Sequence, residues 1–290
     1  MSIVGLDEDL PVTPRHDVYP TIDPKVHYDG QTFKGKVVLV TGASRGIGLE
    51  TALSYARSGA SLVLVSRKQA TLDDSKNAII AELPKAEVIT FVADVTDVQK
   101  SEEAIKATIK RFGKLDILVA NAGAARPMDK PFASKDPTGW WNIFEVNVRG
   151  VYNFVHFAIP ELLKTNGQIV IVSSGVAQLR IPTASEYCTS KFALNRFAEF
   201  IALEYPSLRV FPVHPGVIGT ELNLATDAPV PAVDTLALPA ATFLYLTSGK
   251  ANWLSGRYIS APWDLGEVES VWKQKIVAQN GLVSKLSIPK

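Results

Sequence analysis

Short apolar runs alternate with amphipathic segments along most of this chain. Six of these runs are rich in β-branched residues and predict buried strands, at 36–42, 61–66, 87–95, 116–123, 168–174 and 208–216. The segments between them carry apolar residues at helical spacing. Strands that alternate with helices are joined by right-handed crossovers into a parallel sheet covered on both faces. The pattern therefore predicts a single α/β domain with a doubly wound central parallel sheet.

Three features of the predicted helices are specific enough to test. The stretch from about Trp140 to Thr165 is apolar nearly all round and predicts one long helix, kinked or shifted near Pro160. A further helix is predicted from near Tyr187 to about Glu204. Thr96 and Gln99 have the spacing of a capping box at the start of the helix after the third strand.

The two ends of the chain differ from the alternating middle. Residues 1–34 contain four prolines and little periodicity, so we expect an extended arm that lies on the body or on a partner subunit. Residues 35–290 then form the domain, which includes a C-terminal surface helix. One side of that helix is expected to carry Val268, Val271, Trp272, Ile276 and Val277.

Composition limits the kinds of partner. The 290 residues are 47% hydrophobic and 20% charged, with a formal net charge of +1, and this balance favours neither nucleic acid nor an anionic membrane. The first residues lack a signal peptide pattern, and no apolar run reaches the roughly 20 residues that span a bilayer. The lone cysteine, Cys188, is compatible with a reducing compartment. We expect a cytoplasmic protein that binds a small molecule.

Glycines between the first strand and the first helix indicate a phosphate site. Gly42, Gly46 and Gly48 allow a tight turn and close backbone approach, and the helix that follows offers free N–H groups and the positive end of its dipole. Because the glycines lie between a strand and a helix, the turn predicts a dinucleotide site more strongly than a plain tight turn.

The end of the second strand bears on which dinucleotide binds. A fold for NAD places a carboxylate there for the ribose 2′-hydroxyl, whereas this chain has Ser66 and Arg67. Arg67 can pair with a 2′-phosphate, and Arg45 in the glycine turn adds a second positive charge. These residues favour NADP(H) over NAD(H). The alternative is that both are ordinary surface arginines.

Tyr187 and Lys191 are four residues apart, so on a helix they share one face. A free tyrosine has a pKa of about 10, and a nearby cation lowers that pKa toward the range useful for acid–base chemistry. The spacing alone also occurs by chance on solvated helix faces, so the pair needs support from other motifs.

That support comes from five motifs in order: TGASRGIG (41–48), NAG (121–123), Ser174, YCTSK (187–191) and PGVIGT (215–220). Together they resemble the compact, single-domain form of the short-chain dehydrogenase/reductase family over about residues 35–260. The resemblance implies a Rossmann-like fold. It also implies an enzyme in which a nicotinamide cofactor gives a hydride to a carbonyl carbon, or takes one from an alcohol.

The resemblance assigns four catalytic residues. Tyr187 corresponds to the acid/base, and Lys191 to the residue that lowers the tyrosine pKa and bonds the nicotinamide ribose. Ser174 corresponds to the hydroxyl that holds the substrate oxygen, because it precedes Tyr187 by 13 residues and leaves Ser173 as a strand residue. Asn147 corresponds to the asparagine that supports a proton relay to the lysine.

The resemblance also assigns a cofactor role to groups of residues along the chain. Asp94 corresponds to a carboxylate that contacts adenine, although capping a helix also explains it. Thr220 corresponds to a residue that reaches the phosphates, within a segment that covers the nicotinamide. The full expected set is Gly42, Ser44, Arg45, Gly46, Ile47, Gly48, Ser66, Arg67, Asp94, Val95, Asn121, Ala122, Gly123, Tyr187, Lys191, Pro215, Gly216, Ile218 and Thr220.

The sequence says less about the substrate. The residues expected to line the substrate site are mostly apolar, which indicates a hydrophobic ketone or alcohol. The apolar ones are Ala125, Pro127, Val176, Leu179, Ile181, Leu222 and Leu224. Arg126, Arg180 and Glu186 either recognise a polar group or face water, and water is favoured. His214 is expected to be structural, and the four histidines form no metal-binding cluster.

Other functions remain open at this stage. An NAD-dependent alcohol dehydrogenase and a non-catalytic NADP-binding protein are the alternatives. The resemblance and the apolar helices favour a homodimer or homotetramer. The chain departs from the family where Ala261, Pro262 and Trp263 follow the last strand, and in the length of its arm. If these two departures meet in space, they can form a lid or a strap.

Overall fold

The computed structural model describes residues 3–5, 7–227, 231–286 and 288. Its central sheet has seven parallel strands in the order β3-β2-β1-β4-β5-β6-β7. The strands are β1 (Val37–Thr41), β2 (Ser61–Ser66), β3 (Val88–Val92), β4 (Ile117–Ala120), β5 (Gln168–Val172), β6 (Arg209–His214) and β7 (Ile259–Ser260). The prediction of a doubly wound, Rossmann-like parallel sheet is confirmed.

The helices cover both faces of this sheet. They are α1 (Lys25–Gly30), α2 (Gly46–Arg57), α3 (Gln69–Glu82), α4 (Val98–Phe112), α5 (Pro137–Phe144), α6 (Gly150–Thr165), α7 (Ser185–Glu204), α8 (Glu221–Leu224), α9 (Ala237–Tyr245), α10 (Leu265–Glu267) and α11 (Lys273–Ala278).

The sheet lies between two hydrophobic cores, and each strand contributes side chains to both because successive side chains point to opposite faces. Val38 and Val40 of β1 pack with α2, α3 and α9 on one face. Leu39, between them in the sequence, packs with α4, α6 and α7 on the other. Every residue of β1 is buried, which explains why its sequence is continuously apolar instead of alternating.

The predicted helix from 140 to 165 is wrong in one respect. The chain is helical throughout, but the irregularity lies at Glu145–Arg149, a single π-helical turn between α5 and α6. Pro160 lies inside α6, which continues to Thr165. The helix predicted near Tyr187 is α7.

Two smaller predictions also need correction. Asp97, not Thr96, caps α4, and its carboxylate accepts the N–H of Lys100 at 2.9 Å. In the C-terminal helix Val268 and Ile276 are buried, whereas Val271 and Val277 are exposed. The reason is that a second π-helical turn, Val268–Trp272, shifts the angular positions of the residues that follow it.

The segment predicted as an extended arm lies on the body of the protein and is not extended throughout. It contains a 3₁₀ turn at Pro20–Ile22 and the short helix α1. Ile22 and Phe33 belong to the core. Earlier in the arm, Pro14 forms an isolated antiparallel bridge with Trp263, so the two departures from the family pattern do meet.

Candidate active site

The candidate site lies where the strand order reverses. β1 has β2 on one side and β4 on the other, so the connections that leave β1 and β4 diverge and open a crevice at the carboxyl ends of these strands. The turn with Gly42 follows β1, and the turn with Asn121 follows β4. Both predicted cofactor turns therefore border one crevice.

The glycine turn fits closely against its surroundings. Gly42 has φ of 65°, and a Cβ added there would lie 2.9 Å from the Cα of Ala122. A Cβ on Gly48 would lie 2.3 Å from the carbonyl oxygen of Gly42. Only glycine is compatible with both positions. Ser44 and Arg45 lie in the loop before α2, and Ile47 lies in its first turn, so backbone N–H groups of that turn face the crevice.

Thr41 joins the two turns, and the sequence analysis did not single it out. Its hydroxyl oxygen accepts the backbone N–H groups of Asn121 and Ala122 at 3.0 and 3.1 Å. The amide of Asn121 donates to the carbonyl oxygens of Thr41 and Gly42 at 3.0 and 3.3 Å. The signal available in the sequence was the hydroxyl at the end of a buried strand next to the glycine turn.

The residues at the end of β2 fit a bound dinucleotide. Ser66 is buried, and its hydroxyl has no hydrogen-bond partner among the described residues. A buried hydroxyl without a partner is costly, so this atom fits a polar ligand in the crevice. Arg67 is exposed, and it makes no ion pair within the described part of the chain. Asp94, after β3, accepts both the N–H and the hydroxyl of Thr96, and Val95 follows it in the same turn.

Arg45 and Thr220 each have a partner within the protein. The guanidinium of Arg45 is 2.9 Å from a carboxylate oxygen of Glu221, and both side chains are exposed. The hydroxyl of Thr220 caps α8 by accepting the N–H of Asn223 at 3.3 Å. A Cβ on Gly46 would lie 3.4 Å from the methyl group of Thr220, so the glycine turn does contact the 215–220 segment.

Tyr187 is buried, and the Ser174 side chain lies near its hydroxyl. Burial raises the pKa of Tyr187 to about 12, and the Ser174 side chain opposes this rise. The expected lowering of this pKa by Lys191 stays a prediction. The Lys191 Nζ lies 5.7 Å from the centroid of the Tyr187 ring, and its hydrogen bond is made elsewhere.

Lys191 lies under the crevice floor. Its ammonium donates to the carbonyl oxygen of Val172 at 2.8 Å, and burial lowers the pKa of Lys191 to about 8. A Cβ on Gly123 would lie 3.6 Å from this ammonium and 3.4 Å from the Oδ1 of Asn147. The turn at 121–123 therefore comes together with two of the four predicted catalytic residues.

Asn147 is fully buried in the π-helical turn between α5 and α6. Its Oδ1 accepts the N–H of Ala124 at 2.7 Å, and its Nδ2 donates to the Ala124 carbonyl at 3.0 Å. The Nδ2 also donates to the hydroxyl of Ser190 at 3.0 Å. Asn147 thus fixes the chain after β4 against α7. Ser190, inside the YCTSK motif, was not predicted as a site residue.

The two serines after β5 face different ways. The Ser173 hydroxyl donates to the Oδ1 of Asn195 at 2.7 Å, inside the protein. Ser174 precedes the next 3₁₀ turn, and its hydroxyl oxygen accepts the N–H of Val176 at 3.4 Å. Of the two serines, Ser174 is the one whose side chain lies near Tyr187, and its catalytic role stays a prediction.

The expectation that Glu186 faces water is wrong. Glu186 is buried, and its carboxylate pairs with the Lys135 ammonium at 2.8 Å, so the first turn of α7 is tied to the chain before α5. Arg126 and Arg180 are about half exposed, but Arg126 lies 3.8 Å from Asp136, and Arg180 pairs with Glu8.

The 215–220 segment follows β6 and crosses toward the glycine turn. Pro215 and Ile218 are buried, and the N–H of Gly216 donates to the Nδ1 of His214 at 3.3 Å. Burial lowers the pKa of His214 to about 4, so this histidine is neutral at pH 7 and acts as a structural acceptor.

The described residues contain neither a metal-binding cluster nor a membrane-spanning helix. In the ranges 3–5, 7–227, 231–286 and 288, no three His, Cys, Asp or Glu side chains are grouped so as to hold a metal ion. No helix in the same ranges has the length and apolarity required to cross a bilayer.

Comparison with known proteins identifies the family. Residues 36–229 match the family model for short chain dehydrogenase. The short chain dehydrogenase mpl6 of Monascus purpureus is 38% identical over 285 residues, which cover 93% of this chain and 94% of that protein. The short chain dehydrogenase pigC of Monascus ruber is 34% identical and covers 96% and 94% of the two chains.

Solved structures agree with this result. A putative short chain dehydrogenase from Shigella flexneri 2a str. 301, complexed with NADP, has a TM-score of 0.75 and 26% identity, and the match covers 80% of this chain and 98% of that one. Levodione reductase has a TM-score of 0.74 and 26% identity, and the match covers 83% of this chain and 100% of that one. The match extends over more than half of this chain and nearly the whole of its relatives. The chain therefore belongs to the short-chain dehydrogenase family of oxidoreductases.

Proposed function

We propose that this protein is an NADP(H)-dependent oxidoreductase that interconverts a carbonyl and an alcohol on a small, hydrophobic substrate. The observation that carries the proposal is that the Lys191 ammonium lies 5.7 Å from the centroid of the Tyr187 ring and next to the 121–123 turn of the crevice, with the Ser174 side chain near enough to lower the pKa of Tyr187. Two neighbouring hydroxyls can both reach a single substrate oxygen.

Each residue has a distinct role in the reductive direction. When bound, the cofactor supplies the hydride to the carbonyl carbon. Ser174 holds the carbonyl oxygen, and Tyr187 donates a proton to this oxygen as negative charge develops there. General acid catalysis of this kind contributes typically about 10²- to 10⁴-fold. With a pKa raised to about 12, Tyr187 is protonated at neutral pH before the reaction and is ready to act as the acid.

Lys191 and Asn147 support this acid. Because the pKa of Lys191 is about 8, its ammonium is charged at pH 7, and a nearby positive charge stabilises the tyrosinate left after proton transfer. Only one of its three N–H donors bonds Val172, so others are available for the cofactor ribose. Asn147 holds the chain at Ala124 and so keeps the relay in place.

Tyr187→Phe tests the catalytic assignment. Removal of the phenol hydroxyl takes away the proton donor but leaves the ring packing, so we expect turnover to fall by at least about 10²-fold while NADPH affinity changes little. The measurement is a screen of hydrophobic ketones for NADPH consumption, with NADPH binding measured separately. Turnover close to that of the unaltered enzyme would mean that another group is the acid.

The proposed preference for NADP(H) rests on the Ser66 hydroxyl and the Arg67 guanidinium at and directly after the end of β2, neither of which has a partner among the described residues. The structure of a relative complexed with NADP supports the same choice. A charge-assisted hydrogen bond is worth about 1.5–3 kcal/mol, which corresponds to about 10- to 100-fold in affinity.

Arg67→Asp tests the cofactor choice. The carboxylate repels a 2′-phosphate and accepts a ribose hydroxyl, so the ratio of kcat/KM for NADPH to that for NADH should fall by at least about 10-fold. Lys68→Asp, one residue further from β2, is the matched control for charge alone. If the unaltered enzyme shows no preference for NADPH, the assignment is wrong.

A further inference from the structure

We propose that the N-terminal arm is part of the active site, and that His16 and Asp234 are positioning residues for the 215–220 segment. This inference rests on the proposed function, in which that segment covers the nicotinamide. The two residues are 218 positions apart in the sequence and lie outside every motif of the family resemblance.

Asp234 binds the backbone of the 215–220 segment directly. Its carboxylate is buried, and Oδ2 accepts the backbone N–H of Val217 at 2.5 Å. The backbone N–H of Asp234 in turn donates to the carbonyl oxygen of Val217 at 3.1 Å. Gly216 has φ of 105°, and a Cβ there would lie 2.7 Å from Oδ2. The carboxylate therefore lies against the backbone of the segment at Gly216 and Val217.

The arm supplies the second partner of this carboxylate. The Nδ1 of His16 is 2.7 Å from the Oδ1 of Asp234. Because an ionised carboxylate only accepts hydrogen bonds, Nδ1 must carry the hydrogen atom. The neighbouring residues extend the contact: the Thr235 N–H donates to the His16 carbonyl at 2.9 Å, and the Thr235 hydroxyl donates to Asp17 at 2.7 Å.

The arm is also anchored at two places before His16 in the chain. Arg15 donates two hydrogen bonds to Asp264, at 2.9 and 2.6 Å, and its N–H donates to the Pro262 carbonyl at 2.7 Å. Earlier in the chain, Val4 forms an antiparallel bridge with Arg180, in the loop after Ser174. Because the arm is fixed at both places, His16 presents its ring to Asp234 from a rigid support.

Loss of the imidazole would leave Asp234 with one of its two side-chain partners. A buried acceptor that loses a partner costs about 1–3 kcal/mol, and the carboxylate can reduce this cost by turning toward water and away from Val217. The segment would then lose part of its fixed position. His16 itself is about half exposed, so its replacement removes little packing and should leave the fold intact.

Three variants test the proposal. His16→Ala should speed hydrogen exchange of the Val217 amide by at least about 5-fold in the cofactor-free protein and weaken NADPH binding by about 5- to 10-fold, with a larger effect on KM for NADPH than on kcat. His16→Asn should restore both values, because its Nδ2 occupies the position of Nδ1. Thr13→Val is the matched control, since Thr13 lies in the same arm and its hydroxyl donates a hydrogen bond to Glu267, not to Asp234.

The outcomes separate a positioning role from a merely structural one. If His16→Ala lowers the melting temperature but leaves the Val217 exchange rate and NADPH affinity unchanged, the proposal is overturned. Equal effects of Thr13→Val and His16→Ala on these two quantities also overturn it. Should His16→Ala fold poorly, Asp17→Ala, which removes the contact with the Thr235 hydroxyl and a local bond to the Val18 N–H, must change both in the same direction, and no change rejects the proposal.

The exchange measurement also separates this inference from the proposed function. Exchange of the Val217 amide is measured without cofactor or substrate, so it does not depend on the identity of the reaction. If Tyr187→Phe retains turnover while the His16 series behaves as expected, the catalytic assignment fails and the link between the arm and the segment stands. If Tyr187→Phe is inactive and the exchange rate is unaffected by His16→Ala, only the positioning role fails.

Discussion

Lys191 is almost fully buried, and its charge is costly to the folded state. Burial lowers the pKa of this lysine from 10.5 to about 8. Between these two pH values the unfolded chain binds a proton that the folded protein has released, so this group makes the free energy of unfolding rise with pH. Below pH 8 the lysine is charged in both states, and its burial lowers the free energy of unfolding by the full amount, about 3 kcal/mol.

Lys191→Met should therefore stabilise the protein at pH 7 while abolishing activity. We expect a gain of about 1–3 kcal/mol in the free energy of unfolding, since the hydrogen bond to Val172 is lost and offsets part of the relief. The gain should shrink as pH rises from about 8 toward 10.5, where the lysine of the unaltered protein is neutral when folded. Urea unfolding at pH 7 and pH 9.5 measures it. A variant that is less stable than the unaltered protein at pH 7 would contradict this account.

At the residue scale, the sequence identified side chains that share one helix face, but it did not predict their burial or their pKa values. The spacing of Tyr187 and Lys191 predicted one helix face, and both lie on α7. It did not predict that burial would raise the pKa of Tyr187, because burial depends on the chain packed above it. Glu186 shows the same limit, since its partner Lys135 lies 51 residues away in the sequence.

At the scale of elements, the π-helical turn at Glu145–Arg149 is the feature that matters most for the site. An extra residue in a turn rotates the side chains that follow, and such turns occur frequently at functional sites. Here the turn contains Asn147, whose amide bonds Ala124 and Ser190. Proline was expected to disturb the helix at Pro160 because it lacks a donor. The disturbance lies instead where a buried polar side chain has partners on two other elements.

The start of α6 offers a test of how helix packing positions the turn after β3. Gly150 has ordinary helical dihedral angles, so alanine would gain up to about 1 kcal/mol in helix propensity. However, its Cβ would lie 2.4 Å from the Cγ2 of Val95, and overpacking typically costs about 1–3 kcal/mol. We expect Gly150→Ala to destabilise the protein by about 1–2 kcal/mol, as measured by urea unfolding.

A double-mutant cycle supplies the control. Val95→Ala opens space at the same contact, so the pair Gly150→Ala and Val95→Ala should be more stable than the sum of the single changes by at least about 1 kcal/mol. Additivity within about 0.5 kcal/mol would show that the two side chains do not collide.

At the scale of the whole molecule, large apolar side chains remain exposed on α6 and α7. Tyr152 lies 6.2 Å from Phe197 between ring centroids, and its ring is about half exposed. Phe192, Phe200 and Leu203 on α7 are also exposed. A surface of this kind typically indicates a protein contact. We propose that a second copy of this chain covers it, in agreement with the expected homodimer or homotetramer.

Phe200→Glu should weaken that association, because a carboxylate would be buried without a partner at the interface. Sedimentation velocity is expected to show a dimer or tetramer for the unaltered protein and a shift toward monomer for the variant. Val26→Glu, an equally exposed apolar position on α1, is the control and should leave the oligomer unchanged. A stable monomer in the unaltered protein would reject the assembly.

The sequence by itself determined the alternation of strands and helices, the two turns that border the crevice, and the order of the motifs. These are local patterns, since burial of a strand on both faces and the tight turn after it are each encoded within a few neighbouring residues. Only the tertiary structure decided that Asp234 lies between His16 and Val217, that Glu186 is buried, and that the arm reaches Trp263. Contacts between residues far apart in the chain depend on the packing of complete elements, and no periodicity in a single sequence records which polar side chains that packing brings together.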